Sequence, residues 1–489
     1  MNLSQKVAFN TVILTGGRVA LAGSGVVGVI LSTRYLGLEA FGELITAVVF
    51  VTLFGLLTDV GVWTVSAREI AKRPDEEERI ISVVCTIGLA LSAVAVALAL
   101  ATMLVAYPGN DGETVRLGIL ILSVQMLSTS VGGASAAYMT AHQRAIPAAV
   151  AAVLSSLVFV GCLVAVVVLD LGFAGVAGSY AAGGLVNALV PYVPAARSTR
   201  IRFGWDRGLA EQMVRWALPQ GAVLAIGVLY FRIDTVLLSL LGSDVDVALY
   251  GVAYRVLEVL IVVPTYAMLT LFPELSRCEP HSERLRMLVQ GAFSSLALAA
   301  VPLLVGFVIF APEVVLVAGG ADFRDAAPVL QLLVVAALAS YMSTPYIHSL
   351  VALNQQGRLA RLLVVVLTLN VALNFALIPL LDANGAALAL VLSEVAVLML
   401  GARLFRGVGV PPRLQRPGRL ALAGLATAGV LIGMRAWDPV AGAPAVTLAI
   451  AGTLTLLTYG AAVKVLDAAP TEVTSAFAQL RARRGAVAE

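Results

Sequence analysis

Stretches of about twenty apolar residues recur from Val7 to Val465, and this recurrence constrains the fold more than any motif does. A helix needs ~20 such residues to cross ~30 Å of hydrocarbon. Inside lipid every backbone N–H and C=O must find a partner within the protein, so helices are the expected spanning elements. Breaks rich in polar residues, Pro or Gly divide the chain into fourteen spans: 9–33, 42–66, 80–107, 115–140, 146–169, 172–195, 216–241, 247–272, 285–311, 326–352, 359–380, 384–405, 418–436 and 442–465. Only 12% of the residues are charged, against about 25% in a soluble domain. The sequence predicts an all-α integral membrane protein.

The basic residues test that count, because Lys and Arg concentrate in short cytoplasmic loops. With the N-terminus placed inside, 25 of the 32 Lys and Arg residues fall on inside segments. Four (Arg34, Arg116, Arg324 and Arg435) fall outside, and Arg18, Arg232 and Arg255 lie within spans. A wrong count would invert every later loop. The distribution therefore predicts fourteen spans, both termini cytoplasmic, in the cytoplasmic membrane. The opening "MNLSQKVAFNTVILTGG" is too interrupted for a cleaved signal sequence and reads as a retained first span.

Several function classes recede on the same grounds. A net charge of +3 argues against nucleic acid as a partner. Cys85, Cys162 and Cys278 are scattered without metal or disulfide spacing. No outer loop is long; 311–325, the longest, carries no cluster of catalytic type, which argues against a membrane enzyme such as a glycan polymerase or ligase.

The largest inside connection, "RSTRIRFGWDRGLAEQMVRWALPQG", divides the chain near its middle. Its Trp205, Leu209, Met213 and Trp216 recur at helical spacing beside arginines, which predicts an amphipathic segment on the inner membrane surface. Two groups of six spans flank it, each opening on a similar turn, "LGLEAFG" and "LGSDVDVALYG". The expected organisation is an N-terminal lobe (1–196), the cytoplasmic connection (197–215), a C-terminal lobe (216–406), two further helices (407–466) and a cytoplasmic tail (467–489). Parallel repeats of this kind hold their cargo in a central cavity between the halves.

Charges inside spans are the candidate functional residues, because each costs about 2.5–3.5 kcal/mol at the bilayer centre on insertion scales. Arg18 and Asp59 lie at similar depth on neighbouring spans and can pair. Arg232, Asp234, Arg255 and Glu258 also share a depth, and Arg255 and Glu258 stand on one helix face. These groups can be neutral packing clusters, with Asp59 and Glu258 balancing arginines. Alternatively Arg18, Arg232 and Arg255 face a wet cavity and receive an anion, for which the planar guanidinium fork suits a pyrophosphate. Glu394 has no cation near its depth, while Asn370 and Asn374 share one face of the preceding span. Oxygen donors of this kind can hold Na⁺, and a desolvated glutamate can carry a proton; the bland alternative is an Asn–Glu contact joining two helices.

Several stretches together resemble one family: "TRYLGLEAFGEL", "TDVGVWTVSAREIAK", "FRIDTVLLSLLG" with "ALYGVAYRVLE", "PTYAMLTLFPELS" and "LNQQGRLARLLVVVLTLNVALNFALIPLLDANGAALALVLSE". Their order and spacing are similar to bacterial polysaccharide flippases of the multidrug/oligosaccharidyl-lipid/polysaccharide exporter superfamily. The resemblance implies fourteen transmembrane helices, two six-helix lobes around a central cavity plus two C-terminal helices. It implies flipping of an undecaprenyl-pyrophosphate-linked oligosaccharide by alternating access, for surface polysaccharide biosynthesis, with glycan polymerase and export machinery as partners. It also implies that Arg18 and Arg255 engage the diphosphate, and that Asp234, Asn370, Asn374 and Glu394 couple Na⁺ or H⁺. No bound cofactor is expected. Two related readings stay open: a cation-coupled multidrug or toxin antiporter, whose cationic cargo would favour a carboxylate-dominated cavity, and a lipid II flippase.

Overall fold

A computed structural model describes residues 3–109, 112–199, 202–437 and 442–470. The described chain is helical throughout, in fifteen α-helices. They are α1 (Leu3–Gly55), α2 (Val62–Lys72), α3 (Glu77–Ala106), α4 (Glu113–Ala141), α5 (Ile146–Leu169), α6 (Gly172–Leu189), α7 (Tyr192–Ser198) and α8 (Arg207–Leu241). The second half holds α9 (Asp244–Leu275), α10 (Glu283–Ile309), α11 (Ala311–Ala318), α12 (Ala326–Ala352), α13 (Gln356–Phe405), α14 (Pro417–Trp437) and α15 (Pro444–Val465). Among the described residues, twelve helical segments are long and apolar enough to cross a membrane. This is a multi-pass, all-helical membrane protein of twelve to fourteen long helices.

The difference between twelve and the fourteen sequence-predicted spans lies in two long elements that fold back on themselves. In α13 the break is at Asp382 (φ 51°, ψ −131°). The Asn370 side-chain amide donates to Ser393 Oγ at 3.2 Å, whereas 23 residues of straight helix would separate them by ~34 Å. Gly385 seats directly against the Leu377 carbonyl, where any Cβ would collide. In α1 the break is at Gly37, whose φ of 77° suits a residue without Cβ. Before it, Gly17, Ser24, Gly28 and Tyr35 meet Ala149, Ser156, Phe159 and Asp170 in turn, so this arm runs parallel to α5. After it, Ala47 and Trp63 meet Gly118 and Gly133, so the second arm and α2 run parallel to α4. α4 parallels α6 (Gly118 by Phe173, Gly132 by Ala188), and α6 opposes α5 (Gly175 by Val166, Gly183 by Phe159). The two arms of α1 are therefore antiparallel.

The chain divides into two compact units, Met1–Gly251 and Val252–Glu489. In the first, Ile70, Ile80, Tyr138 and Met213 belong to one buried cluster, and Phe50, Ile119 and Leu122 to another. In the second, Leu275, Leu285, Leu350 and Phe405 bring the ends of α9, α12 and α13 against the start of α10. Small residues permit close helix approach, as where Gly88 meets Ser130. Large apolar side chains such as Val105, Leu157, Leu425 and Leu456 remain exposed, as lipid contact requires.

The structure corrects three local expectations. The amphipathic stripe of the 197–215 connection faces protein: Leu209 and Met213 are buried against α2 and α3, and Trp216 packs beside them with Arg68 5.8 Å from its ring centroid. The reason is that α8 starts at Arg207 and runs unbroken into the next span, which carries the stripe onto the helices it passes; Trp205 stays exposed. Asp206 caps that start by accepting from the Leu209 N–H and from Arg79 Nε (3.0 Å), and the two donors hold its carboxyl below the usual range. Its contribution is thus present above the ordinary carboxylate pKa and is lost only as pH falls through the lowered value. Second, span 42–66 is not one helix. It passes through a 3-10 turn (Leu56–Thr58) and two left-handed residues, Val60 (φ 27°) and Gly61 (φ 80°). Third, the 311–325 connection is not a plain loop: it contains α11, whose Glu313 pairs with Arg435 at 3.4 Å.

Proline within a helix frees the carbonyl four residues earlier, and α12 supplies the missing donors. Pro264 frees the Leu260 carbonyl, which accepts from the buried Tyr341 hydroxyl at 2.9 Å. The Val308 carbonyl, in the last turn of α10 where the helix ends, accepts from the Gln331 side chain at 2.9 Å. Replacing Tyr341 with Phe is expected to destabilise the protein by about 1–3 kcal/mol, since a buried acceptor loses its partner. Thermal unfolding in one fixed detergent checks this; an unchanged midpoint would remove Tyr341 from that role.

Candidate functional site

Polar side chains at membrane depth form separate groups in each unit. In the first unit, α8 carries Arg232 and Asp234 in the run "YFRIDTVLLSLL". Asp234 is fully buried and accepts from the hydroxyl of Tyr250, itself fully buried on the neighbouring α9 segment, at 3.2 Å. Arg232 is half-buried. The two residues therefore point into different surroundings, although they stand two apart. Five positions past Asp234, Ser239 meets the Tyr107 hydroxyl at 2.9 Å, a second polar tie between α8 and its neighbours.

Asp59 occupies the break between α1 and α2, and its Oδ1 accepts from the Trp63 N–H at 3.1 Å. Irregular backbone at membrane depth survives only where protein or a wet space satisfies it, and here an aspartate does part of that work. The Val60 carbonyl faces Gly221 of α8, where a Cβ would clash. The Arg18 side chain lies outside the described residues, so its sequence-predicted pairing with Asp59 has no counterpart here.

In the second unit, Arg255 donates to Glu258 across one helical turn of α9 at 2.5 Å. Their side chains are 34% and 23% exposed, so neither is fully enclosed by protein. A second group lies across the α13 hairpin. Asn370 and Asn374 are fully buried on its first arm; Ser393 and Glu394 are buried on its second. Asn374 Nδ2 donates to the Asn370 backbone carbonyl (2.9 Å) and to Asn370 Oδ1 (3.1 Å), while Asn370 Nδ2 donates to Ser393 Oγ (3.2 Å). Buried oxygens from both arms thus converge around residues 370, 374 and 393, with a carboxylate at the next position.

The sequence-predicted candidates therefore fall into distinct groups. Arg255 and Glu258 come together as the spacing on one helix face implies, and Asn370 and Asn374 interact directly. Tyr250 and Ser393 were missed. Each is a neutral residue common in membrane helices, and only their buried position beside a charge or amide distinguishes them. Asp59 was found, but the helix break around it was not; the "DVG" run, with glycine two residues after the aspartate, was the available signal.

The profile of the family described as "polysaccharide biosynthesis protein" matches residues 7–279. "Probable flippase AglR" of Haloferax volcanii is 26% identical over 268 residues, 53% of this chain and 53% of that protein. "Probable low-salt glycan biosynthesis flippase Agl15" of the same organism is 26% identical over 212 residues, 43% and 45% of the two chains. The chain thus spans about half the length of these curated relatives. Among solved structures, the lipid II flippase MurJ in an inward closed conformation superposes with a TM-score of 0.77 at 11% identity, covering 93% of this chain and 98% of that one. An inward-facing multidrug resistance MATE family transporter of the MOP superfamily follows with a TM-score of 0.61 at 17% identity, covering 81% and 94%. At such identities the likeness extends to the fold.

Proposed function

Since the chain belongs to the polysaccharide biosynthesis protein family, we propose that it flips a lipid-linked oligosaccharide across the cytoplasmic membrane for surface polysaccharide assembly. The carrier in this reading is undecaprenyl pyrophosphate, moved by alternating access through a fourteen-span topology with both termini cytoplasmic. No covalent step is involved, as suits a family of transporters rather than enzymes. The cargo is then a partner by its chemistry, and glycan polymerase or export machinery would receive the product.

The observation that carries the reading is Arg255: a guanidinium at membrane depth, held by one carboxylate and still about one third exposed. A charge kept in that setting needs a purpose, and a planar fork beside open space suits a diphosphate. Glu258 fixes the fork when no phosphate is present. Arg18 and Arg232 would serve the same anionic cargo. In the α13 hairpin, Glu394 with Asn370 and Asn374 would bind Na⁺ or carry a proton, and Asp234 would serve as a further coupling carboxylate.

The test uses liposomes containing the purified protein and a fluorescent polyprenyl-pyrophosphate oligosaccharide. Protein-dependent loss of the inner-leaflet label to an external quencher or glycosidase supports the reading. Efflux of lipophilic cations with no movement of the glycolipid would instead favour the multidrug alternative. Movement of lipid II alone would favour the peptidoglycan precursor.

A further inference from the structure

The two arms of α13 bring Arg358, Arg361 and Arg403 to one pocket of about 400 Å³, walled by Leu362, Val365, Leu400 and Leu404. All three arginines are exposed. Their neighbours at helical spacing are exposed and apolar: Val365 and Leu369 follow Arg361 on the first arm, and Leu392 and Met399 precede Arg403 on the second. A basic mouth thus opens beside two apolar tracks that run along the hairpin.

Neighbouring arginines of this unit are matched: Arg277 and Arg284 with Glu274, Arg286 with Glu283, and Arg416 and Arg419 with Asp467. Among the described residues, no carboxylate lies within ion-pair distance of Arg358, Arg361 or Arg403. Arg361 Nε reaches only the Gly357 carbonyl of its own helix, at 3.4 Å. Three like charges around one small pocket repel, and an anion between them removes that cost.

We propose that this pocket binds the phosphate headgroup of an anionic membrane lipid, with its hydrocarbon chains lying along Val365, Leu369, Met399 and Leu392. On the orientation given by the basic residues, the lipid belongs to the cytoplasmic leaflet. Basic pockets between transmembrane helices on that side are suited to such headgroups, and three forks satisfy phosphate oxygens from several directions. The site is separate from the buried Asn370–Ser393 group further along the hairpin and does not depend on what the protein transports.

Full-length protein in a non-ionic detergent is titrated with phosphatidylglycerol, phosphatidylcholine or polyprenyl pyrophosphate, and bound lipid is read by native mass spectrometry. One saturable phosphatidylglycerol adduct is expected, about tenfold weaker in the R358Q/R361Q/R403Q variant. Triple replacement by Lys is expected to retain much of the binding, because charge persists while the fork is lost. Polyprenyl pyrophosphate bound with the same arginine dependence would identify the carrier lipid as the source of the phosphate. Equal binding of phosphatidylcholine, or an unchanged adduct in the Gln variant, would overturn the assignment. The single Gln variants guard against misfolding, since each removes one exposed side chain that has no carboxylate partner among the described residues.

Discussion

Arg255→Ala is expected to reduce glycolipid flipping in liposomes by about tenfold or more, while the protein still folds and inserts. Hydrogen bonds to charged groups contribute about 1.5–3 kcal/mol, and each 1.36 kcal/mol is tenfold in rate. Stability should change less than for a fully buried pair, because both partners of the Arg255–Glu258 pair remain partly exposed. The double variant Arg255→Ala/Glu258→Ala separates the two readings of this pair. If the arginine serves the cargo, the double variant stays as slow as the single one. If the pair is only a neutral packing cluster, removing both members restores flipping, and the anion role is lost. Arg255→Lys should fall between, since it keeps a charge without the bidentate fork.

Glu394→Gln is expected to abolish the response of flipping to a cation gradient. The amide has nearly the shape of the carboxylate but can neither carry a proton nor neutralise Na⁺. The helix pair should survive, because Asn370 still donates to Ser393 across the hairpin and Asn374 still donates to Asn370. The measurement compares initial flipping rates with and without an imposed Na⁺ or pH gradient. A several-fold stimulation in the parent that disappears in the variant supports coupling here. A variant that responds as the parent does would leave Glu394 as helix-joining glue. Asn370→Ala tests the same group from the other arm and should lower thermal stability as well, since it removes the contact that ties residue 370 to residue 393.

Much of the architecture was legible because membrane insertion imposes a local code. Length of apolar run, spacing of breaks and placement of Arg and Lys are each read over about twenty residues, so the spans at 359–380 and 384–405 could be separated before Asp382 was seen to turn the chain. The helix break at 56–61 was not legible from hydropathy, because the residues on both sides remain apolar while the backbone changes hand at Val60 and Gly61. The amphipathic stripe Leu209–Met213–Trp216 was seen, but its target was misjudged. Periodicity reports that a face seeks apolar contact, and both lipid and a neighbouring helix provide it.

The sequence by itself determined that this chain is a bundle of membrane-crossing helices and that charges lie inside it, because both follow from the cost of exposing polar groups to hydrocarbon. Only the tertiary structure decided what those charges touch. Asp234 turns to Tyr250, Asn370 reaches Ser393 across the hairpin, and Tyr341 and Gln331 satisfy carbonyls left open by a proline and by a helix end. The same folding gathers Arg358, Arg361 and Arg403 from two helix ends more than forty residues apart. Such contacts depend on which helices become neighbours and in what rotation, and no term local in sequence contains that information.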